Sequence, residues 1–284
     1  MNILVRLNQN VFISGRLIDE NFKAVQLTAR LLHQKKIPSA LYKIDIAKAF
    51  DSLDWTFLLQ VLQHMGFSRR WLNLISLILS TASTKIILNG SPGRRICHAR
   101  GLRQGDPLSP LLFVIAMEGL NVLVSYAEAR GTLVSFGINA IKERIFLYAD
   151  DVILFTSPDQ QTLVATQCIL DLFALASGLH INPKKCGITP VCCTFEQTAT
   201  LLRYLHGQLQ AFPIRYLGIP LSVKKLKKTE LQPLVDKVVS GLPPWKANLL
   251  TKAGRAVLTK VKLSAIPVHT ALAISLSRLG DPMY

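Results

Sequence analysis

The chain has 284 residues, half of them apolar, with 33 Lys and Arg against 17 Asp and Glu for a formal net charge of +16. That length supplies one large domain or two ordinary ones with a proper core, and the apolar half excludes a disordered polar tract. Five cysteines are ordinary usage, which excludes a small disulfide scaffold.

Met1 to Asn10 mixes apolar residues with Arg6, Asn8 and Gln9 and has no signal-peptide core. Ile18, Phe22, Val25, Ala29 and Leu32 recur at steps of four and three, predicting a helix that ends before Pro38. From Ala40 to Ile46 the pattern alternates: Tyr42, Ile44 and Ile46 on one face, Lys43 and Asp45 on the other. This predicts a half-buried strand with a carboxylate on its open face. Asp54 is placed to cap a helix carrying Trp55, Leu58, Leu59 and Leu62 and closed by Gly66. A second apolar helix runs from about Arg69 to Leu79; its run from Leu72 to Leu79 is far short of the roughly 18–20 residues of a membrane span. Thr84 to Leu88 reads as a strand, and Asn89-Gly90 as a hairpin turn.

After the loop Gly101 to Pro107, Ser109-Pro110 opens a long helix with Leu112, Phe113, Ala116, Leu120 and Leu123 inward. Arg144 to Phe155 reads as two apolar strands interrupted by Ala149-Asp150-Asp151. A helix from about Gln160 stops at Gly178, with strand-like pieces near Ile181, Ile188 and Tyr216. The helical pattern resumes at Thr229, with a break from Gly241 to Pro244. The expectation is an α+β domain over 1–220 with a basic helical appendage over 221–284.

Residues 184–284 hold 15 Lys and Arg against 4 Asp and Glu, including Lys224, Lys225, Lys227 and Lys228 in one run. Such asymmetry suits a polyanion, because neutralising phosphates releases counterions; the alternative is a solvated lysine face. No amphipathic helix with exposed aromatics accompanies the run, so no membrane partner is expected. Cys97, Cys168, Cys186, Cys192 and Cys193 form no C-x-x-C pair and match no zinc spacing with the six histidines. They read as buried free thiols of a soluble, intracellular protein.

Asp150 and Asp151 stand between Phe146-Leu147-Tyr148 and Val152-Ile153-Leu154-Phe155. Adjacent carboxylates at the tip of an apolar hairpin repel unless a positive group lies between them, although Asp is also a common turn residue. Asp45, on its own short apolar strand, adds a third acid. Such a set suits hard divalent cations, and two of these can activate a hydroxyl and stabilise a leaving pyrophosphate.

Lys43-Ile44-Asp45-Ile46-Ala47-Lys48-Ala49-Phe50-Asp51, then Gly101-Leu102-Arg103-Gln104-Gly105-Asp106-Pro107-Leu108-Ser109-Pro110, then the YADD block Tyr148-Ala149-Asp150-Asp151 resemble motifs A, B and C of reverse transcriptases, in the family's order. Gly178 to Lys185 is similar to the motif D region and Tyr216-Leu217-Gly218 to the primer grip. Gln9 to Arg16 and Trp245 to Pro267 are similar to non-LTR (LINE-type) retrotransposon polymerases, especially plant ones. The resemblance covers nearly the whole chain.

The resemblance implies a right-hand polymerase with a palm, incomplete fingers and a helical thumb-like C-terminal region. It implies Asp45 and Asp150 as metal-binding carboxylates with Asp151 beside them as a third catalytic acid, and two Mg²⁺ ions, with Mn²⁺ as a substitute. Phe50 matches the ring that blocks a ribose 2′-hydroxyl, while Gln104 and Gly105 match the loop beneath the templating pair, where glycine permits close approach. Lys185 matches the lysine near the incoming triphosphate, with Lys184 as its rival. Tyr216, Leu217 and Gly218 would hold the primer, and Lys246, Lys252, Arg255, Lys260 and Lys262 would contact phosphates. The implied partners are an RNA template, a DNA primer and a dNTP; family analogy alone points to the nucleus.

Three departures accompany this likeness. Family polymerases carry a longer fingers region before the Gln9 block, Cys186 replaces the usual Ser or Thr, and no endonuclease, zinc-knuckle or RNase H region flanks the polymerase blocks. The expectation is the N-terminally truncated remnant of an element: either an RNA-directed DNA polymerase or an inactive fragment that binds nucleic acid. A two-metal nuclease or phosphatase is a third reading.

Overall fold

The computed structural model describes residue 1, residues 4–227 and, beyond them, residues 229, 230, 232, 236, 249–258, 260 and 261. The first periodic stretch forms α1 (Ile18–Gln34), with Phe22, Val25, Ala29 and Leu32 fully buried along one face. The alternating stretch forms β1 (Ser39–Asp45). Two helices follow, α2 (Ala49–Ser52) and α3 (Trp55–His64). The latter is capped by the Asp54 carboxylate, which accepts the Phe57 N–H at 2.9 Å. Next come α4 (Arg69–Ser80) and the hairpin β2 (Ser83–Leu88) and β3 (Ser91–Cys97). Its Asn89-Gly90 turn has φ of 50° and 80°, the left-handed pair that suits the twist of paired strands.

The long helix is α5 (Ser109–Ala129); β4 (Ile145–Tyr148) and β5 (Asp151–Thr156) flank the paired acids, and α6 (Gln160–Ser177) ends at Gly178 as predicted. The remaining elements are β6 (Gly187–Val191), α7 (Phe195–Tyr204), β7 (Gln208–Leu209), β8 (Ile214–Tyr216) and β9 (Ile219–Leu221).

One five-stranded sheet, in the order β4-β5-β1-β6-β7, divides the core into two layers. All its pairings are antiparallel except β6 with β7. On one side Tyr42, Ile44, Val152 and Leu154 pack with Phe113 and Leu120 of α5 and Leu163 of α6. On the other, Leu41, Ile153 and Phe155 pack against α1 and the hairpin β8–β9. Each such side chain taken out of water contributes about 1.5–3 kcal/mol, so the alternation of β1 is what commits its two faces. The α+β class is as expected.

Three findings depart from the sequence reading. By length and composition α5 is apolar enough to cross a membrane, although Glu118 and Asn121 interrupt its apolar residues; 61% of its most apolar window is buried inside the protein, as in a core helix. The helix α7 is absent from the sequence-based expectation. It opens with a reciprocal cap in which the Thr194 hydroxyl accepts the Gln197 N–H and the Gln197 side chain accepts the Thr194 N–H. Of the five free cysteines only Cys186 is buried; Cys97, Cys168 and Cys192 are exposed. As expected, Thr229 and residues 252–258 are helical; the expected break from Gly241 to Pro244 lies outside the described residues.

Removing the α3 cap by Asp54→Ala should cost about 1 kcal/mol. A lower urea midpoint at unchanged slope is the expected reading; an unaltered midpoint would show that the cap carries no stability.

Candidate active site

The register of the central strands brings the acids together. Asp45, the last residue of β1, lies directly opposite Asp151, the first residue of β5, and Asp151 in turn opposes Tyr148 of β4. Residues directly opposite in an antiparallel pair project on the same face, so Asp45 and Asp151 share the face that also carries Lys43. Between the strands, Ala149 takes φ 53°, an unfavourable region for alanine that leaves Asp150 exposed at the hairpin tip.

A cavity of about 500 Å³ opens at this sheet end, lined among others by Asp45, Phe50, Gln104, Asp150, Asn182 and Lys185. These residues come from four separate segments, each anchored by backbone hydrogen bonds. The 180–186 segment is tied to the end of β1: the Ala47 N–H donates to the His180 carbonyl at 2.8 Å and the Asn182 N–H to the Asp45 carbonyl at 2.8 Å. That anchoring brings Lys185 into the wall, while Lys184 is not among the lining residues.

The loop carrying Gln104 is docked on α2 and its exit. The Gly101 N–H donates to the Leu53 carbonyl at 2.8 Å, and Trp55 Nε1 donates to the Gly101 carbonyl at 2.7 Å. Gly101 itself has φ 82°, and a Cβ there would lie 2.6 Å from the Asp51 carbonyl oxygen. Gly105 has φ 91°, a backbone conformation that favours glycine, and open space around it. Phe50 is half-buried and stacks on Phe113, ring centroids 4.6 Å apart, which fixes the ring at the cavity wall.

Asp151 does not line the cavity. Its strand position holds it half-buried beneath the tip, where burial pushes its carboxyl above the usual range; Lys43 pulls it down, and Asp150 and Asp45 push it further up. Of the three acids, Asp45 and Asp150 line the cavity, while Asp151 stands opposite Asp45 on the same face of the sheet. Among the described residues no group of three or more His, Cys, Asp and Glu forms a metal cage. Two carboxylates facing a polar cavity fit a hard cation such as Mg²⁺, which takes few protein ligands and completes its shell with water and phosphate oxygens.

Tyr216 also departs from its expected role. Its side chain is fully buried, with the hydroxyl donating to Asn21 Oδ1 at 2.6 Å, so it cannot touch a primer. Only the turn beyond it, half-buried Leu217 (φ 48°) and exposed Gly218 (φ 81°), reaches the surface. Lys252, Arg255 and Lys260 are exposed, and Arg255 Nε donates to the Leu250 carbonyl at 3.1 Å. Lys246 and Lys262 lie outside the described residues. Asn182 and Lys43 received no role from the sequence, although the first stands in the quoted motif D block and the second precedes Asp45 by one strand repeat.

The family model described as reverse transcriptase (RNA-dependent DNA polymerase) matches residues 3–221. The chain belongs to this family, on its non-LTR retroelement side. It is similar to the transposon TX1 uncharacterized 149 kDa protein of Xenopus laevis, 26% identical over 261 residues, covering 90% of this chain and 19% of that protein. It is also similar to the retrovirus-related Pol polyprotein from the type-1 retrotransposable element R2 of Popillia japonica, 30% identical over 217 residues, covering 72% of this chain and 29% of that protein. The chain therefore spans less than a third of the length of either relative. Among solved structures, telomerase from Candida tropicalis in complex with a fragment of telomeric RNA aligns with a TM-score of 0.52 and 13% identity, over 90% of this chain and 42% of that one. What is shared at that identity is the fold, a polymerase palm.

The raised carboxyl of Asp151 has a pH signature. Its charged form costs stability once the pH climbs through the raised value, and the cost disappears in acid. Asp151→Asn should therefore gain thermal stability over the native protein near neutral pH, the gap closing towards about pH 4, the ordinary carboxylate range. A gap that widens in acid would contradict this.

Proposed function

We propose that this chain is an RNA-directed DNA polymerase domain of a LINE-type retroelement, adding a dNTP to a DNA primer on an RNA template. The observation that carries the reading is the convergence of Asp45, Phe50, Gln104, Asp150 and Lys185 on one cavity in a member of the reverse transcriptase family. The family uses divalent metal ions. Bound by Asp45 and Asp150, such ions, Mg²⁺ first, would make the primer 3′-hydroxyl nucleophilic and neutralise the leaving pyrophosphate.

The chain's own residues do the rest. Lys185 sets a positive charge facing the triphosphate and offers a proton to the departing pyrophosphate. The Phe50 ring, locked on Phe113, walls off the space a 2′-hydroxyl would fill. Gln104, able to donate and accept, lies beneath the templating pair. Asp151 adds negative potential behind the two cavity acids. Residues 1–220 act as partial fingers and palm and 221–284 as a thumb-like region, whose Lys246, Lys252, Arg255, Lys260 and Lys262 meet phosphates while the Leu217-Gly218 turn meets the primer.

Primer extension on poly(rA)/oligo(dT) tests this. Incorporation of dTTP with Mg²⁺ should be seen with the native chain and fall by at least about a hundredfold in Asp150→Asn, in line with removal of a metal-held activation of the hydroxyl. Incorporation equal in the two proteins would remove the activity. In Phe50→Ala, incorporation of the ribonucleotide should rise relative to the deoxynucleotide; unchanged sugar preference would remove the role given to the ring.

A further inference from the structure

The hairpin β2–β3 stands outside the two layers of the core. It is a two-stranded sheet of its own, and apart from half-buried Ser83 every residue of both strands is exposed. It is tied to the body at its base, where the His98 N–H donates to the Ala82 carbonyl at 3.0 Å and Arg95 Nη2 to the Thr81 carbonyl at 3.4 Å. A two-stranded ribbon of this kind is marginal in water, and each of its strands keeps one edge of unpaired N–H and C=O groups.

The two faces of the ribbon differ in chemistry. Thr84 opposes Ile96 and Lys85 opposes Arg95. Alternation therefore places Ile86, Leu88 and Ile96 on one face, and Lys85 and Arg95, with Ile87 nearer the tip, on the other. On the first face Ile86, Leu88 and Ile96 are 63%, 73% and 49% exposed. On the second, two cations stand directly across from one another, which destabilises a strand pair. Nothing nearby in sequence offsets them: from Trp55 to Gly105 there is no Asp or Glu, and among the described residues neither Lys85 nor Arg95 makes a salt bridge. One face lacks a cover and the other lacks an anion.

The edges differ as well. Between Lys85 and Ile87 the register shifts, two steps along β2 answering three along β3 from Arg95 to Pro92. That bulge and the missing N–H of Pro92 blunt the β3 edge, as edge strands are commonly protected. The β2 edge has neither.

We propose that the β2 edge is a docking site for an extended segment of a partner protein in which acidic and apolar residues alternate. Added as a third strand, such a segment continues the pleat of β2: its apolar side chains extend the surface of Ile86 and Leu88, and its carboxylates fall beside Lys85 on the face shared with Arg95. Charge complementarity selects this occupant over a second copy of the chain, whose own ribbon carries the same cations and no acid. An RNA strand offers phosphates to the cationic face but cannot pair with the β2 edge as a strand does.

The test uses synthetic peptides and no nucleic acid, so its outcome is independent of the polymerase reading. A fluorescein-labelled peptide of alternating Glu and Val, about six residues long to match β2, is titrated with the native protein and read by anisotropy. Saturable binding that weakens with added salt is expected. A fully N-methylated copy, which has no strand N–H to donate, and a permuted peptide with its Glu and Val in two blocks should each bind at least about tenfold more weakly. Lys85→Gln/Arg95→Gln and Ile86→Thr/Leu88→Thr, all at exposed positions, should each lose about tenfold through the missing cross-strand pairs. The same charge removed at exposed Lys35 and Lys142 should leave the affinity in place. Equal binding of the permuted or N-methylated peptide, undiminished binding in either hairpin variant, or no binding tighter than about 1 mM overturns the proposal. A ribbon that instead binds a single-stranded RNA oligomer or a second copy of the chain, with loss in Ile86→Thr/Leu88→Thr, and leaves the peptide unbound, overturns it likewise.

Discussion

The antiparallel register of β1 with β5 is the constraint on which the site depends. Asp45 meets Asp151 because Leu41 meets Phe155 and Lys43 meets Ile153 further up the same pair. A slip of one residue would turn Asp45 toward the layer of α5 and α6 and bring Ile44 or Ile46 to the open face. What forbids the slip is burial on both faces: Tyr42 and Ile44 are committed to one layer and Leu41 to the other, all three with essentially no exposure. The core therefore sets the acid geometry at a cost to Asp151, whose carboxyl is pushed up first by burial and then by Asp150 and Asp45.

A buried polar network carries this geometry to the edges of the sheet. Asn21 of α1 donates through Nδ2 to the Leu147 carbonyl at 2.9 Å, three residues before Asp150, and accepts the Tyr216 hydroxyl through Oδ1. Asn8 donates to the Ile145 carbonyl and pairs with Asn121 of α5 at 2.9 Å. Each of these groups is satisfied by a partner far away in sequence, which makes the arrangement specific, since shifting any element leaves a buried polar atom unpaired. The N-terminal segment, α1, the acid-bearing hairpin and the β8–β9 hairpin are thus held in one relative placement. Tyr216 belongs to this framework rather than to the primer surface.

Local signals were legible in the sequence, and tertiary ones were not. The Asp54 cap, the Asn89-Gly90 turn and the Gly178 stop each act over three or four residues, and the helices and hairpin they delimit follow the prediction. The alternation of β1 also gave the face of Asp45 correctly, because period two follows from the backbone. By contrast, α7 has Leu201 as its one buried residue, so it offers little apolar periodicity; its Thr194-x-x-Gln197 cap was the available signal. The placing of Lys185 rather than Lys184 in the cavity wall, the half-burial of Asp151 and the burial of Tyr216 depend on which residues of distant segments face one another, and no local pattern reports that. The contact of Gly101 with the Asp51 backbone is of the same kind, since it joins two segments distant in sequence. The family resemblance supplied roles for Phe50 and Gln104 that the residues alone do not announce.

At the end of the sheet the Asp45 and Asp150 carboxylates line one cavity with Lys185 in its wall. Sharing of a cation by Asp45 and Asp150 is the claim at the centre. Electron paramagnetic resonance of Mn²⁺, titrated into the native protein and into Asp45→Asn and Asp150→Asn separately, reads it without any need for turnover. Loss of the same high-affinity signal in both variants is the predicted result. Native Mn²⁺ affinity retained in either variant would contradict a shared site.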